Sequence, residues 1–278
     1  MSKFFEDNMD NAVQSFTIDA SVSSVIEGNK GTKLRFYPNS FLDASGNEVK
    51  GLVNVELIEI YDKADMILLN KQTVGKQNGV ISPIISGGEF NVTATQNGME
   101  LSLKPYSQFS AEVQAPNGTD PNMSVFYQES ESADSLVWEE ADSVFLTNDT
   151  SNTFYNVLFD SIGWINCDYF YGTAGPLTEV SVTVPSGATD STCSVFISFD
   201  GLNSVTGLYS YNSGVFSTGT GYSIPVGQPV HFIVMGVVNN QLYASIVGTN
   251  IANNHMEVVS SWSPTTLAQL KMDIQNLP

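Results

Sequence analysis

Short stretches in which apolar and polar residues alternate follow one another along most of the chain, with turn residues between them. Val53, Val55 and Leu57 alternate with polar residues, as in a strand with one buried face. The apolar positions then change parity to Ile58 and Ile60, which predicts a β-bulge because a regular strand keeps one face throughout. Further strands are expected at residues 90–95, 99–103, 109–114, 124–127, 153–159, 179–184, 195–199, 205–211, 231–238, 242–247 and 257–262.

Turn residues are dense between these stretches. Asn-Gly and Asp-Gly pairs suit tight hairpins because their residues tolerate positive φ angles. The predicted turns are Asn78-Gly79, Gly87-Gly88, Asn97-Gly98, Asn117-Gly118, Asp200-Gly201 and Ser213-Gly214. Short strands at this spacing are typical of sandwiches and barrels. The sequence therefore predicts an all-β protein with two consecutive β-sandwich or jelly-roll-like modules.

The end of the chain has a helical pattern. Ser263 is suited to cap a helix and Pro264 to begin it, and apolar residues follow at positions 267, 270, 274 and 277. This short amphipathic helix is expected to pack on its own sheet or, alternatively, to lock onto a neighbouring subunit. A weaker helical pattern covers residues 4–13.

An acidic segment marks the predicted domain boundary. Residues 129–142 carry six acidic side chains in fourteen positions and few apolar ones. Runs of like charge with few apolar residues are typical of linkers. We therefore predict one module over residues 1–135 and a second over residues 136–278, ending in the amphipathic helix.

The charge of the chain restricts the classes of partner that it can bind. The 278 residues include 29 acidic and 10 basic side chains, for a net charge of −19. Residues 105–270 contain fifteen acids and no Lys or Arg, and Arg35 is the only arginine. A surface without cations neither neutralises phosphates nor binds anionic headgroups, so we expect no nucleic-acid partner and no docking on anionic membranes. Only 14% of the residues are charged, so the surface is built mainly from neutral polar residues.

Membrane insertion and export are also not expected. The sequence has no run of 18 apolar residues, and its first residues lack a basic segment followed by an apolar one. The expectation is therefore that the protein stays where it is made. Cys167 and Cys193 have no CxxC spacing, so they form either one disulfide or two buried thiols.

Several motifs resemble those of a known group of proteins. They are GNKGTKL at residues 28–34, PNSFLDASGN at 38–47, VKGLVNVEL at 49–57, YDKADMI at 61–67, SGGEF at 86–90, and GWINCD at 163–168 followed by Phe170-Tyr171. Together they resemble the ZU5-like β-sandwich region of a large group of exported Bacteroidota proteins. The resemblance implies two β-sandwich modules and no catalytic residues. Members of that group usually begin with a signal or lipoprotein segment. Its absence here suggests recruitment into a particle assembled inside the cell, such as a Bacteroidota phage virion.

Catalytic signatures are scarce. His231 lies in a predicted strand and His255 in a predicted turn, and neither has zinc-ligand spacing with the cysteines. The sequence has no G-x-S-x-G, Walker A or G-x-G-x-x-G motif. We therefore expect the protein to have no enzymatic activity and no cofactor. A pair of carboxylates acting as a hydrolase remains the open enzymatic alternative.

One loop is a candidate calcium site. Asp43, Asn47 and Glu48 alternate with small residues in a turn, and calcium prefers such oxygen ligands. The acidic residues of segment 129–142 are a second candidate. The competing interpretations are an Asx-turn for the loop and a solvated linker for the segment.

Aromatic residues suggest an interaction surface. Tyr offers a large contact area at low entropic cost, so Tyr among Ser, Gly and Thr is typical of surfaces that bind glycans or proteins. The candidates are Tyr169, Phe170, Tyr171, Tyr209, Tyr211 and Tyr222. Core packing is the alternative explanation for the same residues.

These observations favour a non-catalytic structural subunit. We expect self-association and contacts with other particle proteins, with the chain forming a capsid or another virion component of a Bacteroidota phage, assembled in the host cytoplasm. The alternative is an exported module at the cell surface or in the periplasm that binds glycan or protein.

Overall fold

The computed structural model describes residues 1–77, 79–115, 118–128, 137–141, 144, 146–172, 175–219 and 222–278, apart from the side chain of Val80. The expected all-β fold with a short C-terminal helix is confirmed. The strands before residue 171 are β1 Gln14–Asp19, β2 Ser24–Glu27, β3 Lys33–Phe36, β4 Phe41–Leu42, β5 Leu52–Ile60, β6 Val74–Gln77, β7 Val80–Gln96, β8 Met99–Glu100, β9 Ser102–Leu103, β10 Phe109–Gln114, β11 Ser124–Gln128, β12 Trp138–Glu140, β13 Leu146–Asn148, β14 Phe154–Phe159 and β15 Gly163–Phe170.

Eleven further strands follow in the described part of the chain. They are β16 Leu177–Thr178, β17 Val180–Thr183, β18 Cys193–Phe199, β19 Val205–Gly207, β20 Ser210–Asn212, β21 Val215–Ser217, β22 Ile224–Pro225, β23 Pro229–Val238, β24 Gln241–Asn250, β25 His255–Val258 and β26 Ser263–Pro264. The helices are α1 Ser2–Ala12, α2 Lys63–Leu68 and α3 Leu267–Gln275.

Four large sheets contain most of these strands. Outer sheet 1 has the order β13-β14-β10-β3-β2, and inner sheet 1 has the order β1-β5-β7-β15-β11-β12-β6, with β8 beside β7. Inner sheet 2 has the order β19-β18-β23-β24-β26, and outer sheet 2 has the order β20-β21-β17-β25. Residue 135 lies outside the described residues, and β12 to β15 all pair within the first two sheets. The strand pairing therefore divides the chain between Phe170 and Leu177 rather than at residue 135.

In the described part of the chain, the sheets form four layers with three large apolar cores between them. The first core lies between outer sheet 1 and inner sheet 1, where Phe109 and Phe159 meet Phe90. The second lies between inner sheet 2 and outer sheet 2, where Phe232 and Val182 pack. The third, here called the central seam, joins the two inner sheets and contains α2 and the buried face of α3. The strands that border the central seam, such as β5 and β23, therefore bury side chains on both faces.

Burial on both faces explains the change of parity in β5. Its register against β1 and β7 is continuous, so the predicted bulge in this strand is wrong. Val55 and Leu57 face the first core, whereas Ile58 and Ile60 on the opposite face pack in the central seam. A strand covered on both sides carries apolar residues at both parities. The parity change thus marks where the second layer covers the strand.

A bulge does occur in the neighbouring strand β7. Cys167 of β15 lies opposite Gly88, but Asp168 lies opposite Ser86, so Gly87 is the extra residue. Gly88 has a φ of +150°, and a Cβ there would lie 2.5 Å from the Tyr61 ring. The prediction of a turn at Gly87-Gly88 is therefore wrong, because both glycines lie inside β7 at a bulge that needs their small size.

The terminal helix begins later than predicted. Thr266 caps α3, since its side chain accepts a hydrogen bond from the Gln269 backbone N–H, whereas Pro264 lies in β26. Leu270 and Ile274 of α3 are buried in the central seam beside α2. The helix thus packs on its own chain, over the junction between the two halves.

Candidate functional site

The GWINCD segment forms β15 and divides its side chains between two environments. Ile165 and Cys167 belong to the first core. Asn166 and Asp168 have the opposite parity and are fully buried on the other face of inner sheet 1. Asn166 lies opposite Glu89, and Asp168 lies opposite Ser86. We call Ser86, Glu89, Asn166 and Asp168 the polar cluster.

Hydrogen bonds connect the polar cluster to the second half of the chain. The Ser86 hydroxyl donates to Asn166 Oδ1 over 3.0 Å, and Asn166 Nδ2 donates to Asp168 Oδ2 over 2.7 Å. Asn203 Nδ2 then donates to the Ser86 carbonyl oxygen over 2.8 Å and to the Tyr61 carbonyl oxygen over 3.1 Å. The Ser86 backbone N–H donates to the Asn203 carbonyl oxygen. This cluster therefore helps to hold the two inner sheets together.

The carboxyl groups of the cluster favour their neutral form. Glu89 is fully buried, and its two carboxyl oxygens have no hydrogen-bond partner among the described residues. Burial raises the pKa of Glu89 to about 8, against the opposing charge of Lys71. Burial also raises the pKa of Asp168 well above its usual range. Among the described residues, Glu89 and Asp168 are the closest match to the predicted carboxylate pair, and both are fully buried.

A cation–π contact lies beside the cluster. Lys71 lies on the segment that follows α2, and its Nζ is 3.7 Å from the centroid of the Trp164 ring. Such contacts gain strength when the cation is withdrawn from water, and Lys71 is buried. Glu89 lies in the SGGEF segment, but nothing local to Glu89 or Lys71 distinguishes either residue from other charged residues in the sequence.

In the predicted calcium loop, the carboxylates of Asp43 and Glu48 have hydrogen-bond and ion-pair partners within the chain. The Asp43 side chain accepts hydrogen bonds from the Ser45 and Asn47 backbone N–H groups and from Asn47 Nδ2, at 2.8 to 3.0 Å. The bonds from Asn47 lower the pKa of Asp43. Glu48 forms ion pairs with Lys104 at 3.3 Å and Lys50 at 3.9 Å. This is the geometry of the Asx-turn.

Within the described ranges, no group of three or more His, Cys, Asp or Glu side chains is arranged to hold a metal ion. Most of the acidic residues of segment 129–142 lie outside the described residues.

The first group of predicted aromatics lies around the end of β15. Phe170 packs edge-on against Phe126 at 5.4 Å, in a small core with Trp138. The Tyr171 hydroxyl donates to Gln228 Oε1 over 3.1 Å, and Tyr169 is half-buried. These side chains therefore contribute to packing and to contacts between the two halves.

The second group belongs mostly to the second core. Tyr222 is buried there, with its hydroxyl hydrogen-bonded to Thr206. The Tyr211 ring lies tilted against the Phe216 ring, with the centroids 4.9 Å apart, and its hydroxyl donates to the Ala188 carbonyl oxygen. Tyr209 is partly exposed and donates to Asn70 Oδ1 over 3.2 Å. The structure thus distributes the six predicted aromatics among cores and loop contacts.

The cysteines and histidines have structural surroundings. Cys167 and Cys193 are free thiols, each buried in a different core, which decides between the two alternatives for them. Burial raises the pKa of Cys193 to about 12. His231 Nδ1 lies 2.7 Å from Asp200 Oδ1, and His255 stacks on Phe232.

An open groove of about 680 Å³ lies beside the exposed end of Trp164. Its polar lining includes carboxylates and neutral groups, and none of its described lining residues is Lys or Arg. The Tyr127 hydroxyl donates to Asp160 Oδ1 over 3.3 Å at its rim. The side chains that line it with Tyr127 and Trp164 include Asn91, Thr93, Glu100, Ser102 and Asp160.

None of the helices in the described part of the chain has the length and apolar character needed to cross a bilayer.

Comparisons with known proteins give little guidance. No family model matches the chain, and no curated protein matches it. A solved structure of a γ-cyclodextrin glycosyltransferase from Alkalophilic bacillus clarkii is similar over 86% of this chain, at 11% identity and a TM-score of 0.17. This chain spans 40% of the length of that protein. The TM-score is too low to support any inference about fold or enzymatic activity. The resemblance to ZU5-like proteins of Bacteroidota stays a prediction.

Proposed function

We propose that the protein is a non-catalytic structural subunit of a larger assembly, a capsid or other virion component of a Bacteroidota phage. The polar cluster carries this proposal. Glu89 and Asp168, the carboxyl groups with the most strongly raised pKa values, are fully shielded inside the junction of the two halves. Asp168 accepts a hydrogen bond from Asn166 inside this junction, and the burial of both carboxyl groups suits a structural role better than a catalytic one.

The four-layer architecture suits this role. A subunit in a particle has to keep its shape while its surfaces contact neighbours, and the shared central seam couples the two sandwiches. The scarcity of charged residues leaves a surface of neutral polar side chains that can pack closely against copies or other particle proteins. The expected location is the virion, after assembly in the host cytoplasm.

The test is whether the chain occurs in particles and associates in solution. We expect a mass-spectrometric inventory of gradient-purified virions to contain the chain at a constant ratio to the other structural proteins. We also expect native mass spectrometry of the purified chain to detect oligomers. A strictly monomeric chain that is absent from every particle fraction would refute the proposal.

The groove beside Trp164 favours a second candidate, a module that binds neutral glycan at the cell surface or in the periplasm. Sugar hydroxyls bind to carboxylates and amides while their apolar faces stack on aromatic rings, and the groove combines both. Its lack of Lys and Arg among the described lining residues disfavours anionic ligands.

Titration with neutral oligosaccharides, followed by NMR, tests this candidate. Binding should shift resonances of the groove and should be lost in Tyr127→Ala. Tyr106→Ala is the matched control, because Tyr106 is fully exposed and does not line the groove. Equal binding by both variants, or no binding by the wild type, would eliminate the glycan role.

A further inference from the structure

The solvent-facing side of outer sheet 1 presents two rows of side chains in register. In the first row, Val25, Arg35, Ser110 and Leu158 lie directly opposite one another across β2, β3, β10 and β14. In the second row, Glu27, Lys33, Glu112, Asn156 and Thr147 follow in the same way across five strands. We call these two rows the outer face. All of these side chains except Glu27 line a shallow depression of about 580 Å³.

Two charges on the outer face lack an ion pair within the chain. Arg35 is exposed, and among the described residues it has neither a hydrogen bond nor an ion pair for its guanidinium. Glu27 is likewise exposed and makes no ion pair within the described ranges. Lys33 and Glu112, by contrast, pair with each other at 3.9 Å. The face therefore offers one cation and one anion for contacts outside the chain.

Apolar side chains flank the arginine. Val25 is 51% exposed and Leu158 is 46% exposed, at the two ends of the row that contains Arg35. An arginine between apolar side chains is typical of the residues that contribute most to protein interfaces. The rest of the row is the small hydroxyl of Ser110, which leaves room for a partner.

Net charge decides which surface two copies can share. Each chain carries a net charge of −19, so most orientations of two copies repel each other. The outer face carries two cations, Lys33 and Arg35, and two anions, Glu27 and Glu112, so that it is locally neutral. Under a twofold axis, a contact from Arg35 of one copy to Glu27 of the other is repeated from the second copy to the first, so both unmatched charges are paired.

We propose that the outer face binds the outer face of a second copy of this chain, with Arg35 of each copy paired to Glu27 of the other. Val25 and Leu158 supply the apolar contacts around these two ion pairs. Two sheets pack face to face in this way at about 10 Å separation in sandwiches. The proposal rests on the proposed structural function, for which this dimer would be a building unit.

Charge exchange tests the interface by sedimentation velocity and native mass spectrometry. We expect the wild type to form dimers. The dissociation constant of the dimer should be roughly tenfold or more higher in Arg35→Glu and in Glu27→Arg, because each substitution places like charges together. The double variant Arg35→Glu/Glu27→Arg should recover the dimer, since it restores both pairs with the signs exchanged. Lys50→Glu is the matched control, with the same change of charge at an exposed site outside the face.

Leu158→Ser and Arg35→Gln, which add no negative charge, provide further variants if a charge-reversed chain fails to fold. Both should weaken the dimer while circular dichroism remains that of the wild type. Failure of the double variant to recover the dimer would overturn the reciprocal pairing.

The two proposals fail in different ways. Oligomers that Arg35→Glu leaves intact would overturn this interface and keep the structural function. A chain that is monomeric alone but present in virions would also overturn the self-contact, because the outer face would then meet another particle protein. A dimer that depends on Arg35, formed by a chain absent from all particles, would support the interface and refute the virion role.

Discussion

Lys271 Nζ lies 2.7 Å from Asp65 Oδ1 and joins α3 to α2 across the central seam. Lys271 is the first basic residue after the stretch 105–270, which has no Lys or Arg. Lys30 contacts the other oxygen of the same carboxylate. Burial opposes the charge of Lys271, but its hydrogen bond and attraction to Asp65 outweigh that effect and raise the pKa of Lys271. The last cation of the chain therefore helps to close the junction between the halves.

We predict that Lys271→Met destabilises the fold. Asp65 is largely buried, so the loss of one cation leaves its charge less compensated, at a cost of about 1–2 kcal/mol. Urea unfolding at neutral pH measures the change in the free energy of unfolding. Lys3→Met is the matched control, because the Lys3–Asp7 pair is exposed to solvent and such pairs contribute little to stability. Equal effects of the two substitutions would contradict the role given to Lys271.

We predict that the fold loses stability as the pH rises toward the alkaline range. The folded-state pKa of Glu89, about 8, lies above its ordinary value of 4.5, so the folded state binds the extra proton between these values. The contribution of this proton to stability is therefore complete below pH 4.5 and is lost as the pH rises through about 8. Asp168 acts in the same direction, since its pKa is also raised. The free energy of unfolding, measured by urea titration across this range, should decline.

Glu89→Gln isolates this effect. The amide cannot ionise, so the variant should have a flatter dependence of stability on pH than the wild type. Glu100→Gln is the control, because Glu100 is exposed and should leave the slope unchanged. Parallel curves for the wild type and Glu89→Gln would show that Glu89 does not keep its proton in the folded state.

The alternating pattern predicted strands such as β10 and β23, since a single strand and its turns depend on local chemistry, but it missed others, including β1, β3 and β15. It could not predict which strands would be covered twice, because Ile58 and Ile60 acquire their environment only when the second half packs on them. The six-residue helix α2 was missed for a similar reason, as its buried residues leave no polar face and so no helical period.

The candidate site was harder to predict than the fold. The four residues of the polar cluster lie in the GWINCD and SGGEF motifs, but the sequence does not show that Asn166 and Asp168 meet Ser86 and Glu89, which lie about eighty positions earlier. Such pairing depends on the register of β7 and β15, which a bulge shifts. The acidic segment 129–142 was predicted to separate the two modules because of its charge. The chain instead returns to the first sandwich after this segment, through β14 and β15.

We predict that Gly88→Ala is strongly destabilising. The residue has a φ of +150°, and an added Cβ would lie 2.5 Å from the Tyr61 ring, which also holds the Thr32 hydroxyl at 2.7 Å. Backbone strain and the clash together should cost about 2–4 kcal/mol. The midpoint of urea unfolding reports the change. Gly172→Ala serves as the control, because no atom lies within 4 Å of the added Cβ and its φ is not in the positive range. A midpoint for Gly88→Ala near that of the control would contradict the strained bulge.

The two thiols provide the last prediction. Cys167 is 0% exposed and Cys193 is 1% exposed, and burial raises the pKa values of both thiols, so neither supplies an accessible thiolate near neutral pH. We therefore expect no reaction of the native chain with a thiol reagent such as 5,5′-dithiobis(2-nitrobenzoate) on the timescale of minutes. Unfolding in guanidinium chloride without reductant should release both thiols at once. Cys193→Ser should then give half of that signal, as should Cys167→Ser. If the denatured chain did not react with the reagent, the two cysteines would be joined by a disulfide. That bond would require them to leave their separate cores and would contradict the arrangement of the two sandwiches.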